Sequence, residues 1–319
     1  MLVELPIQEH TPSSSSPPSS SSHVDILILG AGWTSTFLIP LLQREGIAYA
    51  ATTRDGRRGT IPFTFDPDSS DPAPYAALPC AATVLITFPL VGKGQSQRLV
   101  SLYGTTHSSA KDCSSNQPPR YIQLGVTSIW KGAGWSDENS PYDTSDRRAI
   151  AEDELLAIAS PAGDDPSGSG GGAAVLSLSG LYGGAREPRH WVDRIARSKQ
   201  ELRRTGALHM IHGVDVARAI LATHRHFTSG KRWLLCDLHV YDWWELVQSW
   251  AGEALRDGGA EGGGEGSARQ KDLLAWVGEL MVEEGVRALP RDPSTLGRTL
   301  DGRGFWKEMG VWPMQGRVR

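Results

Sequence analysis

The segment DILILGAGWTS, residues 25–35, constrains this chain more than any other stretch. An apolar run enters Gly30-x-Gly32-x-x-Ser35, and a helical pattern follows at once. A strand that stops on a glycine pair and opens a helix is a βα turn of a parallel, doubly wound sheet. In a dinucleotide-binding turn the first glycine supplies a positive-φ bend. The second lets the backbone approach the pyrophosphate, and the third lets helix and strand pack closely. Here the two ligand-facing glycines are kept, and Ser35 stands at the packing position. The N–H groups at the start of the helix then point at phosphate. Pro40, in the second turn of that helix, is expected to kink it.

Beyond this turn, short apolar runs alternate with helical patterns. The spacing predicts strands over 25–30, 48–54, 61–65, 83–88, 121–125, 174–179 and 232–237. It predicts helices near 34–45, 95–103, 146–159, 191–204, 214–224 and 241–253. The strand candidates are rich in Val, Ile and Leu without strict alternation, as strands buried on both faces of a parallel sheet are. The expected fold class is therefore α/β, a doubly wound, mostly parallel Rossmann-type sheet with a small, mainly helical C-terminal lobe. Residues 1–23 form a Ser/Pro-rich tail that cannot bury enough apolar surface to order itself. Residues 24–240 are expected to form the nucleotide-binding domain and 241–319 the substrate lobe. Two glycine-rich stretches, 163–174 and 257–269, read as surface insertions, because neither has the Lys-Ser/Thr ending and strand-to-helix setting of a phosphate loop.

The 319 residues carry a net charge of −4, which gives no electrostatic footprint for nucleic acid. Cys80, Cys113 and Cys236 are widely separated and lack the spacing of a disulfide framework or metal cluster, so a reducing compartment is expected. No apolar run approaches the roughly 18 residues of a membrane-spanning helix. No Lys or Arg precedes Arg44, so the leading segment lacks a targeting sequence's basic character, and a cytoplasmic location is expected.

The end of the second strand, AYAATTRDGRRG, bears on the choice of nucleotide. An NAD site places a carboxylate there to accept from the ribose 2′-OH. This chain has Thr53 and Arg54, with Arg57 and Arg58 just beyond, and Asp55 falls past the strand end. Hydroxyls and a guanidinium suit a 2′-phosphate, so NADP is expected over NAD.

Taken together, four segments make the chain resemble the extended, epimerase/dehydratase-like branch of the short-chain dehydrogenase/reductases, as an atypical member. They are the GAGWTS turn, YIQLGVTSIWKGAGWSDENSPYDTSDRRAIAEDELL (121–156), LSLSGLYGGAREPRHWV (176–192) and HMIHGVDVARAILA (209–222). The resemblance spans residues from about 24 to about 255. It implies a nicotinamide dinucleotide and a small carbonyl or hydroxyl substrate, sugar-like in many such proteins. It also implies a Tyr-x-x-x-Lys pair on the catalytic helix, but the register here puts Thr144 at the Tyr position and Arg148 at the Lys position. A threonine hydroxyl cannot shuttle a proton as a phenol does, and a guanidinium stays protonated.

The candidate catalytic residues are Thr127 or Ser128 at the strand end, Tyr142 as a displaced phenol, and Arg148. Trp130 takes the place of a family tyrosine, as a wall against ligand or core. The expected dinucleotide contacts are Gly30, Gly32, Trp33, Thr34 and Ser35 in the turn, Thr53 and Arg54, then Phe88 and Pro89 after the fourth strand. Thr127 and Arg186 complete them, although Arg186 also reads as a surface ion-pair residue. Asp215 reads as the N-cap of its helix, and His212 as a structural histidine or a cleft residue. No metal ligands are expected. An oxidoreductase or epimerase is the first reading, and a catalytically silent NADP(H) sensor or scaffold the second. Dinucleotide and small molecule are the expected partners, with no nucleic acid or membrane, and an oligomer is left open.

Overall fold

The run that opens the sheet buries both of its faces. Ile26 and Ile28 point into one apolar layer and Leu27 and Leu29 into the other, all fully buried. Period-2 alternation with no polar member is what a central parallel strand requires. The computed structural model describes residues 23–107, 117–158, 171–257 and 265–318. The tail, except His23, and the central parts of both glycine-rich stretches lie outside the described residues.

The strands are β1 (His23–Leu29), β2 (Tyr49–Thr53), β3 (Ile61–Pro62), β4 (Cys80–Ile86), β5 (Arg120–Val126), β6 (Gly134–Ser136), β7 (Gly172–Leu178), β8 (Gly180–Tyr182), β9 (Ala207–Leu208), β10 (Met210–His212), β11 (Lys231–Leu235), β12 (Tyr241–Asp242) and β13 (Arg298–Leu300). Seven of them form one parallel sheet in the order β11-β7-β5-β4-β1-β2-β3. The chain turns one way from β1 to β2 and the other way to β4. The crevice at such a reversal is where doubly wound sheets hold ligands. The short pairs β8–β10, β9–β12 and β6–β13 lie outside the main sheet.

The helices are α1 (Ser35–Arg44), α2 (Ala73–Ala76), α3 (Gln95–His107), α4 (Arg147–Ile158), α5 (Val192–Ile195), α6 (Lys199–Arg203), α7 (Gly213–Arg225), α8 (Trp243–Asp257), α9 (Glu265–Glu283) and α10 (Arg303–Met309). One face of the sheet packs against α1, α7 and α10 through Leu38, Leu42, Val216, Ile220 and Trp306. The other packs against α3 and α4 through Leu99, Tyr103, Ala151 and Leu155. A third cluster joins α8 and α9 through Trp244, Val247, Trp250, Leu273, Val277 and Leu280. The doubly wound α/β expectation holds.

Several local features differ from expectation. The third strand ends at Pro62, and Phe63–Phe65 continue as irregular chain. The helix expected over 191–204 is two short helices, because Ser198 is extended and caps α6 by accepting the Glu201 N–H. α1 runs through Pro40 without interruption, with the ring on its exposed side. Asp215 does not cap α7. His212 does, its Nδ1 accepting the Val214 N–H at 3.1 Å. Asp215, fully buried in the first turn, instead accepts the N–H groups of Met314 (2.8 Å) and Gln315 (3.0 Å). A carboxylate is favoured there by the helix dipole as well as by those donors. Cys236 is free and buried. Cys80 is disulfide-bonded, which the cysteine spacing does not suggest, because separation along the chain does not measure distance in the fold.

The C-terminal region is helical, as expected, and its last helix packs back on the main sheet. Phe305 and Trp306 on α10 are fully buried against the main sheet, Phe305 edge-on to Trp233 and the Trp306 indole donating to the Cys236 carbonyl at 2.9 Å. Trp306→Ala is therefore expected to lower global stability by about 3–5 kcal/mol, read as a shifted urea unfolding midpoint. A loss near zero would place α10 outside the cooperative core.

Candidate functional site

Gly30, at φ +94°, makes the bend that ends β1, and a Cβ there would lie 2.7 Å from the Thr87 hydroxyl. Its N–H donates to Thr52 Oγ1 (2.9 Å), and the Thr87 hydroxyl donates to its carbonyl (2.5 Å). A Cβ on Gly32 would face open space. The Trp33 and Thr34 N–H groups have no acceptor among the described residues, so they are available as donors at the start of α1. Ser35 is buried at the packing position.

A groove runs over this turn in two compartments that share Gly32, Thr87 and Pro89. The larger, about 630 Å³, is lined by Thr53, Arg54 and Arg57 and by Phe63, Phe65 and Phe88, and the Phe63 N–H donates to the Thr53 carbonyl at 2.8 Å. Phe65 and Phe88 stack with centroids 5.6 Å apart. Among the described residues no carboxylate lines this compartment. Asp55 lies outside it, held below the ordinary carboxylate range chiefly by the Thr53 hydroxyl. The smaller compartment, about 250 Å³, extends past the ends of β5 and β7 and is lined by Trp33, Thr34, Val126, Arg148, Ser179 and Arg186 among others. Arg186 lays its guanidinium on the Trp33 ring, 4.4 Å from the centroid, and the Trp33 indole donates to the Gly183 carbonyl at 3.1 Å. The signal for Arg186 therefore lay in its aromatic neighbour rather than in any acid.

Of the expected dinucleotide contacts, Gly30, Gly32, Trp33, Thr34, Thr53, Arg54, Phe88, Pro89 and Arg186 line the groove. Ser35 and Thr127 do not. Of the four catalytic candidates, Arg148 alone lines it. Thr127 is buried, its carbonyl accepting from Arg298 at 2.7 Å, and Ser128 is exposed. Tyr142 donates its hydroxyl to Asp153 (2.7 Å), and the Arg232 guanidinium covers its ring at 4.8 Å. Burial and that hydrogen bond push the phenol's pKa up. Trp130 is a core residue, its indole donating to the Ser140 carbonyl at 3.1 Å. Thr144 is exposed.

Arg148 reaches the groove from α4, where it donates to the Leu124 carbonyl at 3.1 Å and sits 3.8 Å from Glu152. Glu152 is buried and is paired with Arg232 of β11. Burial pushes its carboxyl up, and that guanidinium counters the shift. Sequence reasoning missed Arg57, Phe63, Phe65 and Thr87 as groove residues, and it missed Ser179, whose buried hydroxyl has no partner. The pair Phe63 and Phe65 is visible in IPFTFDP but reads there as strand. Among the described residues no cluster of His, Cys, Asp and Glu could hold a metal ion, and no helix is long and apolar enough to cross a membrane.

The sequence matches no protein-family model and no curated protein. Solved structures do resemble it. A conserved protein of unknown function from Silicibacter pomeroyi DSS is 18% identical at a TM-score of 0.56, over 93% of this chain and 95% of that one. MoeE5, solved with UDP-glucose and NAD, is 18% identical at 0.54, over 92% and 94%. The human epimerase family protein SDR39U1 (isoform 2), solved with NADPH, is 14% identical at 0.53, over 92% and 96%. At these identities the likeness is one of fold. The fold is the doubly wound α/β fold that these structures share, as the alternating apolar runs and helical patterns implied.

Below the Thr127 turn, His209 is buried and its Nε2 accepts the Leu300 N–H at 3.0 Å, joining the β10 segment to β13. Burial, aided by the Arg298 guanidinium, pushes its pKa down to about 4. The unfolded chain, with an ordinary histidine, takes up this proton first as pH falls. Stability is therefore full above about 6.5 and declines between there and about 4, by up to roughly 3 kcal/mol. In His209→Gln, unfolding midpoints measured across that range should show a flatter slope. An unchanged slope would show that His209 is not the titrating group.

Proposed function

We propose that this chain binds NADP(H) in the groove over its glycine turn. The observation that carries the reading is the chemistry of the larger compartment. It has aromatic walls in Phe63, Phe65 and Phe88 that suit adenine, beside Thr53, Arg54 and Arg57, with no carboxylate among its described lining residues. Guanidinium and hydroxyl donors bind a 2′-phosphate well, whereas an NAD site uses an acid to hold the free 2′-OH. The unpaired N–H groups of Trp33 and Thr34, and Arg186 above them, suit the pyrophosphate. The nicotinamide half then extends toward Arg148.

Once a dinucleotide is bound, the geometry favours a sensor or scaffold over a tyrosine-dependent enzyme. Tyr142 gives its proton to a hydrogen bond with Asp153, and the charged groups lining the smaller compartment are two guanidiniums. Guanidiniums hold and orient a ligand but do not exchange protons at neutral pH. One observation favours the second reading, an oxidoreductase or epimerase acting on a small carbonyl or hydroxyl compound. The Ser179 hydroxyl lies in the same compartment without a partner, placed to donate to a substrate oxygen.

Titration with NADPH and NADH, followed by tryptophan fluorescence, tests the cofactor. NADPH should bind, and Arg54→Ala should weaken it about tenfold while leaving NADH little changed. Equal loss for both nucleotides would remove the 2′-phosphate contact, and no response to either would remove the cofactor. NADPH oxidation with a panel of aldehydes and ketones should stay at background. Turnover that Ser179→Ala abolishes would establish the enzymatic reading instead.

A further inference from the structure

Beside the groove, with Arg186 in the wall common to both, lies a second pocket of about 710 Å³. We infer that this pocket binds the oxyanion group of a small molecule, a phosphate or a carboxylate. Its walls come from the turn after β8, the segment leading to α5, His212 at the start of α7, and residues 315–318. These last residues are fixed in place. Tyr182 donates its hydroxyl to the Gly316 carbonyl at 3.0 Å, and the Val318 N–H donates to the Tyr241 hydroxyl at 3.1 Å. Asp215 holds the N–H groups of Met314 and Gln315. The pocket is thus a built concavity rather than a gap beside a loose segment.

Its polar groups are overwhelmingly donors. The charged lining residues are Arg186, Arg189 and Arg317 against Glu187 alone. Glu187 has His190 3.8 Å away. Arg186, its guanidinium over the Trp33 ring, stands between this pocket and the groove, so Arg189, Arg317 and His212 are the groups that belong to this pocket alone. Arg189 has one distant acid, Glu253 at 3.9 Å, and Arg317 pairs with Glu245. Each guanidinium carries five N–H donors, so one carboxylate neighbour leaves several unused. His212 adds a further donor. Its Nδ1 accepts from Val214, which fixes the neutral ring's proton on Nε2, over Gly183. Gly183, at φ +106°, has no room for a side chain, because a Cβ would run into that imidazole. Donors converging from four segments on one concavity are matched by an anion with several acceptor oxygens.

The test uses the full chain in low-salt buffer, titrated calorimetrically with inorganic phosphate, malonate and, as a control, chloride. Phosphate or malonate should bind in preference to chloride. Arg317→Gln and Arg189→Gln should each weaken that binding about tenfold, and Arg44→Gln, which lines neither this pocket nor the groove, should leave it unchanged. Both arginines are half-exposed and outside the apolar clusters, so their variants keep the core. Binding of phosphate alone identifies a phosphoryl ligand and binding of malonate alone a carboxylate, and either result supports the site. No binding, a response that chloride reproduces, or an affinity that neither pocket variant alters would overturn it. The inference survives a failure to bind NADPH, since the two titrations are read separately.

Discussion

Gly30 is gripped from two sides by threonine hydroxyls, and the geometry of the groove depends on that grip. Thr52 accepts its N–H and Thr87 donates to its carbonyl, so the ends of β1, β2 and β4 are tied at one residue. Thr87 also donates to the Leu29 carbonyl at 3.0 Å. The left-handed bend is thereby held by the two neighbouring strands at the point where the chain reverses its direction of winding. Both compartments of the groove include Thr87, so the aromatic-lined part and the Arg148 end are positioned from a common anchor.

The Arg148 end rests on a different kind of constraint. Glu152 is buried with Arg232, and Asp153 on the same helix receives a second Arg232 hydrogen bond at 2.8 Å as well as the Tyr142 hydroxyl. Buried charges are tolerated only when paired in good geometry, and the pairing then fixes the orientation of the elements that carry them. Here α4 is fixed against β11, and Arg148, one turn before Glu152, is set at the groove. The same network draws Tyr142 away from it.

Local pattern made most of the fold legible in advance. The Ile26–Leu29 run, the glycine turn and the apolar stripe of α7 each carry their own periodicity, and each forms where the sequence placed it. The groove's turn, its basic strand end and Arg186 were legible for the same reason, since they sit in short segments with fixed spacing. What stayed hidden depends on partners distant in sequence. Asp215 looked like a cap because the N–H groups it serves lie 99 and 100 residues away. Tyr142 looked free because Arg232 approaches it only once β11 has joined the sheet. Phe63 and Phe65 looked like strand because β-propensity cannot tell a strand from a lining that shares its composition.

The placement of α10 has a consequence for how the molecule is made. Synthesis delivers the glycine turn and first strands early, but α10 and the stretch held by Asp215 come near the end. Until residues 303–315 leave the ribosome, Trp233 lacks its ring partner Phe305, and the buried Asp215 carboxylate lacks its backbone donors. The part of the sheet's face around Trp233 therefore stays uncovered until α10 is made, while α1 and α7 already cover the rest. Closing it requires contacts across long loops, which form slowly. During that interval the nascent chain exposes apolar surface around Trp233 that the finished fold buries, and transiently exposed surface of this kind is prone to aggregate.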